Sequence, residues 1–158
     1  MLEPLWLAVH HRHAASMPEL APYVDDATSW GVRRALYAEL LGKPDTVLLL
    51  AEDGGGAAVG YGLAHVLARA DTWLDDTWVT GPRIGEIESL GVLPAHRGTG
   101  VGTALLDRLE LALAEQGVTD LVLGVLPGND AARRLYERRG WRPTWLYLSR
   151  FDRPVRPG

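Results

Sequence analysis

The chain has 158 residues, a formal net charge of −4 and no cysteine. Its length suits one domain with a full core, and 47% apolar with 23% charged residues is typical of a globular protein. The lack of cysteine excludes disulfides, thiolate zinc sites and a cysteine acyl-enzyme, and the negative charge argues against a nucleic-acid partner.

The first quarter of the chain predicts one strand and two helices. An apolar run at residues 2–9 is typical of a strand, and the HHRH sequence that ends at His13 indicates a solvated loop. Adjacent histidines point in different directions, so this sequence does not predict a metal site. Two helices follow, at residues 18–23 and at residues 29–41, and the second is expected to carry Arg33 and Arg34 on a solvent-facing side.

Three strand patterns occupy the middle of the chain. Residues 46–51 are a short apolar run, and residues 57–68 follow after a glycine-rich turn. Gly60 and Gly62 inside the second pattern indicate a bulge or a close backbone contact. A polar connector at residues 71–83 leads to IGEIESLGV at residues 84–92, which is predicted to be the central strand.

A run with three glycines in five residues joins the central strand to a helix with one apolar face. Glycines at a helix start allow a ligand close to the backbone and leave N–H groups free, and the helix dipole favours an anion there, so the run suits a phosphate. The run, RGTGVG from Arg97 to Gly102, lacks the Gly-Lys-Ser/Thr of a Walker loop. Position 103 is Thr103, so the dinucleotide pattern G-x-G-x-x-G also fails.

The last part of the chain predicts a strand, a helix and a strand. The strands lie at residues 119–126 and 141–151, and the helix lies at residues 130–139 behind a Pro-Gly-Asn break. Residues 153–158 contain two prolines and are predicted to be a flexible tail. The element order is therefore β-α-α-β-β-β-α-β-α-β, which is an α/β arrangement.

Two stretches resemble the GNAT family of N-acetyltransferases, which bind acetyl-CoA. One is the R-x-x-G-x-G run at Arg97, and the other is the N-x-x-A-x-x-L-Y-x-x-x-G-W segment from Asn129 to Trp141. The resemblance covers nearly the whole chain and implies a single domain at residues 1–152 with a GNAT-like mixed sheet and splayed central parallel strands. The family usually ends with two strands, and one is predicted here. The second is missing, very short, or supplied by another subunit of a homodimer.

The resemblance also implies where acetyl-CoA, as co-substrate, would bind. Backbone groups of Leu90 and Val92 would hold the pantetheine arm between the splayed strands and polarise the thioester carbonyl. The pyrophosphate would lie against Arg97 and the following backbone, namely Gly98, Thr99, Gly100, Val101, Gly102 and Thr103. Asn129 is expected to be a helix N-cap or an amide contact to the ligand. Tyr136 occupies the position that protonates the departing thiolate; in the absence of the flanking motif it would be a half-buried aromatic side chain.

Acetylation of an amine also needs a group that accepts a proton. With a pKa near 10.4, only about one amine in a thousand is unprotonated at pH about 7.4. Glu86 and Glu88 lie two apart on the central strand and share a face unless a bulge intervenes. Both match positions where family members carry acids, and Glu88 is nearer the cofactor end, so at least one is expected to be the base or the amine anchor. Alternatively, the two glutamates line a solvated face or form an ion pair with Arg83.

The acceptor is expected to be a small-molecule or peptide amine. The connector carries Asp71, Trp73 and Trp78, a combination that suits a cationic amine and equally describes an exposed segment packing two tryptophans. Two functions are compatible with these sequence features. One is an N-acetyltransferase that works by direct attack without an acyl-enzyme, and the other is a non-catalytic acyl-CoA-binding or regulatory module. Tyr136 and the glutamates favour the enzyme. We expect no metal, no membrane partner and a cytoplasmic location.

Overall fold

The structure is a computed structural model that describes residues 1–152. A mixed four-stranded sheet forms the middle layer of the protein. The strands are β1 (Val47–Glu52), β2 (Ala58–Ala68), β3 (Arg83–Val92) and β4 (Asp120–Leu123). The pairs β1–β2 and β2–β3 are antiparallel, and β4 runs parallel to β3. The predicted α/β class with a mixed sheet is confirmed.

Four helices cover the two faces of the sheet. They are α1 (Leu2–Ser16), α2 (Asp26–Leu41), α3 (Val101–Glu115) and α4 (Asp130–Glu137). The core under α1 and α2 includes Leu5, Tyr37 and Leu63. The core under α3 and α4 includes Leu106, Leu109 and Tyr136. A Cβ at Gly62 would lie 2.7 Å from Leu109 Cδ1, which is the close contact that the strand glycines indicated.

The predicted first strand is wrong, because residues 2–9 belong to helix α1. Leu2, Leu5, Trp6 and Val9 recur at helical spacing, and a run so dense in apolar residues obscures that period. Pro4 lies in the first turn, where its missing N–H removes no helical bond. The HHRH sequence was likewise expected in a loop and is part of the same helix, and His10 is buried with its Nε2 2.9 Å from the Val24 carbonyl oxygen.

Two further elements differ from the prediction. A single 3₁₀ turn at Pro18–Leu20 replaces the helix expected at residues 18–23. No strand follows α4, since residues 142–152 are in neither a helix nor a strand, so the predicted last strand is also wrong. The proposed tail at residues 153–158 lies outside the described residues. Among residues 1–152, no helix combines the length and apolar composition that crossing a bilayer requires.

A bulge in β3 and the short β4 together open the sheet. Leu63 pairs with Ser89 and Ala64 pairs with Ile87, so Glu88 is an extra residue opposite β2. Pairing between β3 and β4 ends at Ile87 and Leu123, although β3 continues to Val92. The final residues of β3 therefore have no strand on their second side, which confirms the predicted splay.

Candidate active site

The glycine-rich turn between β3 and α3 presents a row of free backbone donors. Gly98 and Gly100 have positive φ values of 75° and 93°, and Gly100 is the N-cap of α3 without a side-chain cap. Within residues 1–152, the N–H groups of residues 98–103 donate to no carbonyl or side chain. No atom lies within 4 Å of where a Cβ would stand on Gly98 or Gly100. This open turn fits a pyrophosphate, whose oxygens accept hydrogen bonds at a helix N-terminus.

The Arg97 side chain points away from this turn and reaches helix α1. Its Nε donates to the Val92 carbonyl oxygen and its Nη2 to the Ala8 carbonyl oxygen, both at 3.0 Å. Desolvation and the nearby charge of Arg12 lower the pKa of Arg97. Neither arginine has an ion pair with a carboxylate of the described chain, so their two charges leave this region electropositive.

Arg12 also connects α1 to the start of α4. Its Nε lies 3.3 Å from Asn129 Oδ1, and the same oxygen accepts a hydrogen bond from the Ala132 N–H at 3.4 Å. Asn129 is thus the N-cap of α4, as predicted. A Cβ at Gly128 would overlap the Ser16 carbonyl oxygen, so only glycine permits this close approach of α1 to the loop. No local pattern indicates a role for Arg12, because its partner Asn129 is distant along the chain.

Leu90 and Val92 lie where the two parallel strands separate. Leu93 N–H donates to Val59 O, towards β2, and alternate residues of an antiparallel ladder turn their backbone groups to opposite sides. Leu90 and Val92 therefore direct their backbone groups into the gap beyond the end of β4. The Val92 carbonyl oxygen in that gap already accepts a bond from Arg97.

Tyr136 lies on α4 within the core beneath α3 and is only 9% exposed. Burial raises the pKa of Tyr136 to about 12. Its hydroxyl has no hydrogen-bond partner among the described residues, and its ring lies 6.1 Å from that of Trp141. The side chain is therefore a neutral phenol with a free donor at every physiological pH.

The two glutamates lie on the opposite face of the sheet, and they share that face although the bulge falls at Glu88. Glu86 Oε2 is 3.3 Å from Nε2 of His65, which is 6% exposed, and the other ring nitrogen, Nδ1, is buried without a partner in the described chain. Glu88 is paired with Arg33 of α2. The expectation that Arg33 faces solvent is wrong, because its guanidinium also lies 3.9 Å from the centre of the Trp6 ring.

The side chains around Glu86 are of types that bind metal ions. Ligand atoms of His65, Glu86 and Glu88 all lie within 4.8 Å of one another. Arg33 already supplies a positive charge to Glu88, so the set as it stands is an ion-pair cluster. Sequence reasoning missed His65 because a single histidine in an apolar strand carries no pattern.

Comparison with known proteins agrees with this geometry. The model of the acetyltransferase (GNAT) family matches residues 6–141. A mycothiol acetyltransferase from Beutenbergia cavernae is 35% identical over 145 residues, which are 92% of this chain but only 43% of that protein's length.

Solved structures share the fold at lower identity. The tetramutant of the BH1408 protein from Bacillus halodurans superposes with a TM-score of 0.72 at 18% identity, over 94% of this chain and 90% of that one. The aminoglycoside N-acetyltransferase AAC(6')-Iy, solved with CoA, gives a TM-score of 0.61 at 21% identity, over 78% of this chain and 90% of that one.

Proposed function

The chain belongs to the GNAT family of acetyltransferases, and from that premise we propose that it transfers the acetyl group of acetyl-CoA to a primary amine. The observation that carries the proposal is the set of unpaired N–H groups at residues 98–103, beside a gap between two parallel strands. This combination offers a phosphate site close to a gap that can accept an extended thioester arm.

The donor side of the reaction would use the backbone and Tyr136. Acetyl-CoA supplies the acetyl group as a thioester, whose C–S bond breaks as the new C–N bond forms. Backbone groups of Leu90 and the Val92 N–H would hold the arm, and an N–H there would stabilise the carbonyl oxygen as it gains charge. Tyr136 would donate a hydrogen bond to the departing thiolate, which leaves as the thiol. The neutral phenol that burial enforces is the form this role needs.

The acceptor side would use Glu86. The ammonium loses one proton to become a nucleophile and a second as the amide forms, and one of these protons is transferred to the thiolate. A carboxylate or water therefore has to take the other. Glu86 is 34% exposed in its side chain and, within residues 1–152, forms an ion pair only with His65, whereas Glu88 is held by Arg33. We assign Glu86 the role of base or amine anchor, and Glu88 the role of holding α2 on the sheet.

Thiol release from acetyl-CoA in the presence of a panel of amines tests the proposal. We expect release that depends on both substrates, with the acetylated amine identified by mass spectrometry. CoA binding without turnover on any amine would instead support a non-catalytic acyl-CoA-binding module. No CoA binding in calorimetry would contradict the pyrophosphate site and both functions.

A further inference from the structure

A cavity of about 310 Å³ opens next to Glu86, on the face of the sheet opposite α3. Its walls include Asp71, Trp73, Leu74, Glu86, Val122 and Tyr147. Val122 is on β4 and Glu86 on β3, so the cavity floor is the pair of strands that separate immediately beyond it. The cavity therefore adjoins the end of the gap in which the thioester is proposed to lie.

The outer wall of this cavity is built by two segments that are distant in the sequence. The Trp145 ring stacks on the Trp73 ring, with centroids 5.6 Å apart and planes at 29°. Trp78 meets both rings edge-on, at 5.6 Å from Trp73 and 6.2 Å from Trp145. The segment after α4 thus closes over the connector between β2 and β3 and brings Tyr147 to the cavity.

The charges around the cavity are of one sign. Two carboxylates line it, and among residues 1–152 no lysine or arginine does. Arg69, which precedes the connector, is paired with Asp75 at 2.7 Å and also donates to the Thr80 carbonyl oxygen. An occupant of this space meets negative charge at both Glu86 and Asp71 and the aromatic side chains of Trp73 and Tyr147, an environment that attracts cations.

The volume of the cavity further restricts which molecules can bind in it. A volume of about 310 Å³ is at the lower end of small-molecule pockets, which span about 300–1,000 Å³. Large polycations would extend far beyond such a space, and a short chain would fill it.

We propose that this cavity is the acceptor site and that it selects a short aliphatic diamine, with the reacting amine at Glu86 and the second cation at Asp71. The inference rests on the proposed acetyl transfer and adds where the acceptor lies and what it is. The methylene chain would lie against Trp73 and Leu74, because these two apolar side chains line the same cavity as the two carboxylates.

Three probes that share one aminobutyl chain and differ in the group at its far end isolate the second charge. They are 1,4-diaminobutane, 1-aminopentane and 5-aminopentanoate, which end in a cation, a methyl group and an anion. We expect kcat/KM to fall about tenfold from the first to the second and further to the third.

Two substitutions locate the effect. Asp71→Asn should remove most of the advantage of 1,4-diaminobutane over 1-aminopentane, mainly through KM. Asp76→Asn is the matched control, because Asp76 is exposed on the same connector, bonds to Thr77 and does not line the cavity. It should keep the preference within about twofold, as expected for an exposed charge outside the site.

A binding measurement separates this inference from the proposed function. With CoA present, 1,4-diaminobutane should quench tryptophan fluorescence, and Trp73→Leu should weaken both the quench and the affinity. An enzyme that turns over 1-aminopentane or 5-aminopentanoate as well as the diamine, or an Asp71→Asn variant with unchanged preference, would overturn the diamine site and leave acetyl transfer intact. An absence of turnover on every amine, with CoA still bound, would overturn both.

Discussion

Arg33 is paired with Glu88 across the interface between α2 and the bulge of β3. The same guanidinium lies over the Trp6 ring, so one side chain ties α1, α2 and the sheet together. Both partners of the pair are about four-fifths buried, with side-chain exposures of 22% and 19%. A proton on Glu88 would remove the charge that Arg33 requires, and for this reason we assign the base to Glu86.

The first prediction separates the two glutamates. Glu86→Gln keeps shape and deletes charge, and we expect turnover to fall by about tenfold to a hundredfold with CoA affinity and melting temperature unchanged. Glu88→Gln should instead lower the free energy of unfolding by about 1–3 kcal/mol, because Arg33 is left partly buried without a carboxylate. Steady-state kinetics and thermal unfolding of both variants give the answer. The reverse pattern would make Glu88 the base.

Tyr136→Phe removes one hydroxyl and nothing else. That hydroxyl has no partner among the described residues, so stability should not change. Turnover should fall about tenfold to a hundredfold while CoA affinity stays the same. With its pKa raised to about 12, Tyr136 stays protonated and should produce no descending limb in turnover below about pH 10. Equal turnover of variant and wild type would assign Tyr136 to the core alone.

Raised pKa values also predict how stability responds to alkali. A phenol whose folded pKa lies above its unfolded value contributes stability that is complete below the unfolded pKa, about 10, and is lost as pH rises through the folded value. Burial raises the pKa of Tyr136 to about 12, so unfolding measured from pH 10 to 12 should show a steeper loss for wild type than for Tyr136→Phe. Equal slopes would contradict burial of the hydroxyl.

Local sequence signals predicted the central part of the fold well. The strand, glycine turn and helix from Arg83 to Glu115 were recognised because a period of two changes to a helical period across glycines. The amino-terminal helix was not recognised, because the eight mostly apolar residues 2–9 fit both the period of two of a strand and the 3.6-residue period of a helix. Residues 142–152 have β-forming composition, yet they pack on the connector through Trp145 without strand pairing.

The site was predicted only where a motif is local. The turn at Gly98 and Gly100 and the cap at Asn129 are each defined by neighbours in the chain. The contacts of His65 and Arg33 depend on which strand or helix packs opposite them, and a single sequence does not show such pairings. The bulge at Glu88 also follows from tertiary pairing, although it determines which side chains face α2.

The glycine turn gives a direct test of the pyrophosphate site. Gly100→Val should abolish the rise in melting temperature that CoA causes, because the new side chain would fill the open space of the turn. Gly117→Val is the matched control, since Gly117 also has a positive φ, 74°, with open space around it, but lies after α3. Both variants carry similar backbone strain, so only the first should lose CoA affinity in calorimetry. Equal affinity in both would contradict the pyrophosphate assignment.

The last prediction concerns Arg12, whose charge adjoins Arg97 without a carboxylate partner in the described chain. Two such cations beside free N–H donors attract an anion, so we expect Arg12→Gln to raise the CoA dissociation constant about tenfold at low salt. Added salt should narrow the difference from wild type, because it screens exposed charges beyond about 8–10 Å. Arg12→Lys keeps the charge and should retain most of the affinity. Arg34→Gln, on an exposed part of α2, should change nothing. If Arg12→Gln and Arg12→Lys lose melting temperature equally and bind CoA as wild type does, Arg12 serves only to join α1 to Asn129.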